Sequence, residues 1–75
     1  MLWYAILTQR EPYVELQHGT IDTNDKVEAV KRIKKEIECF GEPKQLCLFD
    51  SEIAYVFYIK KQNFQWINEK DVFII

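Results

Sequence analysis

Two stretches of the chain, Leu2 to Thr8 and Ile53 to Ile59, carry apolar residues at consecutive positions and read as β-strands apolar on both faces. A strand with core on one side and water on the other alternates apolar and polar residues. Leu-Trp-Tyr-Ala-Ile-Leu and Ile-Ala-Tyr-Val-Phe-Tyr-Ile hardly alternate at all. Only one segment has the period of an amphipathic helix, and at about 24 Å long and 10–12 Å wide it covers less than one face of a five-stranded sheet about 20 Å across. The remaining face needs a cover from the C-terminal third of the chain, from a second copy, or from a different partner.

With 75 residues there is room for one domain, 1–75, in which only about 60% of the unfolded surface becomes buried. So small a core needs staples or rich packing. The composition supplies the packing, since 48% of residues are hydrophobic and 15% aromatic, which also excludes disorder. The formal net charge of −2 gives no general attraction to nucleic acid or to an anionic membrane surface. Cys39 and Cys47 are too few for a disulfide framework and lack CxxC spacing, which points to a reducing, cytoplasmic setting. No basic leader precedes the first strand and no apolar run nears the roughly 20 residues that span a bilayer, so the expectation is a complete, soluble protein. Abundant Ile, scarce Ala and an excess of Lys over Arg resemble coding by an AT-rich genome, such as a low-GC bacterium or its phages.

Strand one is expected over Leu2 to Thr8, followed by a turn at Gln9 to Pro12 and a second strand, Tyr13 to His18, which Gly19 ends. Val27, Val30, Ile33, Ile37 and Phe40, with Ala29 beside them, trace one stripe of a helix from about Asp25 to Phe40; Asp25 and Glu28 fit a capping box, with Asp22, Thr23 and Asn24 as alternative caps, and Gly41 and Pro43 mark the stop. Gln45 to Phe49 and Ile53 to Lys60 then form a β-hairpin about Asp50-Ser51-Glu52, and Val72 to Ile75 forms a terminal strand. The expected class is α+β: a single helix on a four- to five-stranded, mostly antiparallel sheet in the order ββαββ(β). This order and length are similar to the β-grasp fold of ubiquitin-like proteins. That likeness is one of topology alone, since no motif of the family and no terminal Gly-Gly are present.

Aromatic residues with a polar tip suit interfaces because they bury a large rigid area and still satisfy a hydrogen bond. Tyr4, Tyr58, Phe64 and Trp66 are the residues expected to bind a partner, against the plainer alternative that such rings fill the core. Lys60 and Lys61 beside the aromatic strand raise a second reading, single-stranded nucleic acid stacked on the sheet. Tyr55 to Lys60 has no glycine, however, so the ribonucleoprotein sheet pattern is absent. Lys31, Arg32, Lys34 and Lys35 are interleaved with acids at i, i+4 and read as a solvated face.

Catalysis has little support. His18 is the only histidine and has no nucleophile or orienting group nearby in sequence, Asp50-Ser51-Glu52 also describes a common turn, and His18, Cys39 and Cys47 lack zinc-like spacing. Neither metal nor cofactor is expected, and the two glycines cannot build a phosphate loop. The sequence therefore points to a non-catalytic interaction protein, completed by itself as a homo-oligomer or by a host or cellular protein that it regulates or inhibits. Its contact surface would be the surplus apolar face or the edge of the Val-Phe-Ile-Ile strand.

Overall fold

The computed structural model describes residues 1–9, 12–37, 42–61 and 69–75. Strands β1 (Leu2–Thr8) and β2 (Glu15–Ile21) precede helix α1 (Lys26–Glu36); strand β3 (Lys44–Phe49), helix α2 (Glu52–Lys61), a 3-10 turn (Glu69–Asp71) and strand β4 (Val72–Ile74) follow. The four strands form one antiparallel sheet in the order β2-β1-β3-β4, an α+β arrangement as the sequence implies.

The two-faced character of β1 is explained by its central place and by a helix on each side. Leu2, Tyr4 and Ile6 share one face with Leu46 and Leu48 of β3 and pack with Ala29, Ile33 and Ile37 of the α1 segment. Ala5 and Leu7 turn to the other face with Cys47 and Phe49, where Tyr58 of α2 lies over them and Trp3, Ala54, Tyr55 and Val72 surround them. Each fully buried Leu or Ile among them contributes on the order of 1.5–3 kcal/mol of apolar stabilisation.

The expected strand Ile53 to Lys60 is therefore corrected to a helix, and the expected β-hairpin with it. A short continuous apolar run fits a buried strand and a buried helix equally well, and its β-branched and aromatic content favours strand only weakly against tertiary context. Local chemistry starts the helix: Ser51 Oγ accepts from the Ala54 N–H at 3.4 Å, the Ser51 carbonyl accepts from Tyr55 at 3.1 Å, and Glu52 sits in the positive first turn. The added helix also departs from the single-helix, β-grasp-like order. The neighbour of β3 is instead the C-terminal strand, with Gln45 opposite Ile74 and Cys47 opposite Val72.

Helix α1 begins where expected, because the Asp25 side chain accepts from the Val27 and Glu28 N–H groups at 2.9 and 3.3 Å. Its buried stripe is Ala29, Ile33, Ile37 and not one beginning at Val27, which is 65% exposed. The expected end at Phe40 lies outside the described residues. Lys26 Nζ meets Asp71 Oδ1 at 2.6 Å and ties the start of α1 to the turn that delivers β4.

Strand β2 runs through Gly19 rather than ending there. A Cβ at Gly19 would lie 3.2–3.3 Å from the Tyr4 ring and hydroxyl, so glycine leaves room for the ring of its cross-strand partner. This contact accounts for the burial of Tyr4, whose hydroxyl accepts from Gln17 Nε2 at 3.0 Å.

Removing the Tyr58 ring by Tyr58→Ala is expected to lower unfolding free energy by about 3–5 kcal/mol, as for other buried aromatics. Ile53→Ser on the outer side of α2, where Ile53 is 71% exposed, should change it by less than about 1 kcal/mol. Chemical denaturation of both variants checks this, and equal losses would contradict the orientation of α2. The hydrogen bond and charge of Asp71 raise the Lys26 pKa above its ordinary 10.5. The pair's stabilisation is thus complete below that ordinary value and disappears as pH climbs through the raised one. Asp71→Asn should cost less than about 1 kcal/mol at pH 7, and wild type and variant should converge in melting temperature in strong alkali.

Candidate functional site

The aromatic site expected from sequence is not brought together at the surface. Tyr4 is 7% exposed and Tyr58 1%, and they lie on opposite faces of the sheet in separate core clusters. Their expected exposure is corrected: Tyr4 lies over Gly19, and Tyr58 packs 5.4 Å, ring to ring, from Phe49. Phe64 and Trp66 lie outside the described residues. Tyr55, Phe57 and Tyr58 stand on a helix, so they form no pleated platform on which bases could stack.

Among the described residues no strand pairs with the outer side of β2 or of β4, the two edges of the sheet. Lys44 and Ile75 exchange both backbone hydrogen bonds at 2.9 Å. Alternation along the ladder from that pair turns Phe73 toward β3 and leaves the N–H and C=O of Val72 and Ile74 directed outward. Carried across β3 and β1, the same alternation turns Gln17, Gly19 and Ile21 toward β1 and directs the backbone groups of His18 and Thr20 away from the sheet. Large apolar side chains are exposed at both edges, Val14 and Leu16 by β2 and Ile74 on β4, and on the outer side of α2 at Ile53 and Val56.

Beside the β2 edge, on the face that α1 covers, is an open cavity of about 710 Å³. Ile6, Leu16, Ile37 and Pro43 give it an apolar lining, and Thr8, Gln9, Gln17, Glu42 and Lys44 give it a polar one. It lies past the C-terminal end of α1. Sequence reasoning missed it because no local pattern signals a cavity formed between segments distant in the chain. A register irregularity between Ile6 and Leu7, where β2 gains a residue, is the local feature that reorganises this end of the strand.

On the opposite face His18 Nδ1 lies 2.6 Å from Glu15 Oε1, and the His18 ring is 6.3 Å from that of Tyr55. Burial, followed by the charge of Glu15, pushes the Tyr55 and Tyr58 phenols above their ordinary range. Burial alone pushes the Cys47 thiol up to about 11. All three groups are held in their neutral forms at pH 7, the reverse of what activates a nucleophile. Among the described residues no group of three or more His, Cys, Asp or Glu side chains converges as a metal site, and no helix there is long and apolar enough to cross a membrane.

In a Cys39→Ser background Cys47 should react with a disulfide reagent such as Ellman's only as the protein unfolds, while the denatured chain reacts at once. Rapid labelling of the native protein would show that α2 does not seal this face. No family model, curated protein or solved structure was found to match the chain.

Proposed function

We propose that the protein is a small non-catalytic interaction module that binds another protein chain, either its own second copy or a cellular protein that it regulates, through its sheet edges. The observation that supports this reading is the pair of edges unpaired among the described residues, each with outward backbone groups and exposed apolar side chains. Helix α2 covers the second sheet face, so that face offers no surplus apolar surface for association. The demand for a partner moves from the faces to the rims. A reducing compartment suits the free, buried Cys47.

The reading is tested by blocking each edge without touching the core. Thr20→Pro removes an outward N–H on β2, and Ile74→Lys places a charge on β4 where Ile74 is 58% exposed. Wild-type protein is expected to associate with itself in light scattering at high concentration, or with a partner purified from the native source, and at least one edge variant should abolish that association while its circular dichroism is unchanged. Association indifferent to both substitutions, or none at all, would refute the proposal.

A further inference from the structure

From the β2 edge and the cavity beside it we infer that the protein takes up an extended peptide segment of its partner as an added strand, with bulky apolar side chains of that segment seated in the cavity. This rests on the interaction reading above and assigns it one site and one kind of ligand. The backbone groups of His18 and Thr20 point away from the sheet at the spacing with which an extended chain pairs, and neither a helix nor a small apolar molecule offers that pairing. A residue of the added strand opposite Gln17 falls in a position without ladder bonds, where side chains approach most closely, and projects to the same face as Gln17. Gln17 lines the cavity, so that residue enters it.

The lining determines the chemistry of the segment. Ile6 and Ile37 are buried in the wall, Leu16 is half exposed, and the charged side chains among the described residues of the lining are Glu42 and Lys44, of opposite sign. An uncharged apolar anchor complements such a site. The volume of about 710 Å³ exceeds any one side chain and lies within the range of formed ligand sites. Because alternate residues of a strand share a face, the segment would supply two anchors, at i and i+2.

A displayed library of random linear peptides, selected on the immobilised protein and counter-selected on Leu16→Glu, provides the probe. Enriched peptides should share two apolar positions spaced i, i+2 and should bind in fluorescence anisotropy. Leu16→Glu, and separately His18→Pro, which removes the outward N–H beside the cavity, should each weaken binding by about tenfold or more. Both positions are exposed, and unchanged circular dichroism of the two variants confirms their folding. No enrichment over the counter-selection, or binding that survives both substitutions, overturns the inference. Binding lost in Ile74→Lys but retained in Leu16→Glu and His18→Pro overturns this site while leaving the wider interaction reading in place.

Discussion

Burial of both faces of β1 is the constraint on which the rest of the structure depends. A strand with Leu2, Tyr4 and Ile6 on one side and Trp3, Ala5 and Leu7 on the other has no side to give to water. It must be central, which places β2 and β3 beside it, and it must be roofed twice, here by a helix above and a helix below. Helix α1 satisfies the first face by an amphipathic stripe. Helix α2 satisfies the second although it is apolar nearly all round, and so it leaves Ile53 and Val56 exposed.

Once both faces are covered, the surfaces available for recognition are those a short sheet cannot cover from within. An antiparallel sheet of four strands has two edges, and nothing in its own ladder pairs their outer backbone groups. The β2 edge lies beside a cavity lined by Ile37, the cap of α1, and by Ile6 and Thr8 of β1. The chemistry of the interior is quiet by contrast. The thiol of Cys47 and the phenols of Tyr55 and Tyr58 are all driven toward their protonated forms by the burial that the second helix brings.

The elements with a local signature were legible in the sequence. Strand β1 follows from its apolar run, α1 from Asp25 and the spacing of Ile33 and Ile37, and the C-terminal strand from Val72 to Ile74. Where periodicity is silent the reading failed. Seven consecutive apolar residues from Ile53 have no period to read, and the start signal at Ser51 and Glu52 resembles that of a turn. Gly19 looked like a strand terminator because its real role, leaving space for the Tyr4 ring, involves a residue far away in sequence. Of the four side chains expected at the surface, Tyr4 and Tyr58 are interior for the same reason: a ring's burial depends on what is folded against it.

The sequence by itself determined that the chain is one small α+β unit with an aromatic-rich interior and more apolar strand surface than one amphipathic helix can cover. Only the tertiary structure decided how that surplus is resolved, by turning Glu52–Lys61 into a second cover for the sheet. The physical reason is one of range. Caps, turns and periodic stripes are interactions among near neighbours and can be read along the chain. Which face of β1 a distant segment packs against is set by long-range burial, which overrides the modest local preference of Ile, Val, Tyr and Phe for extended backbone.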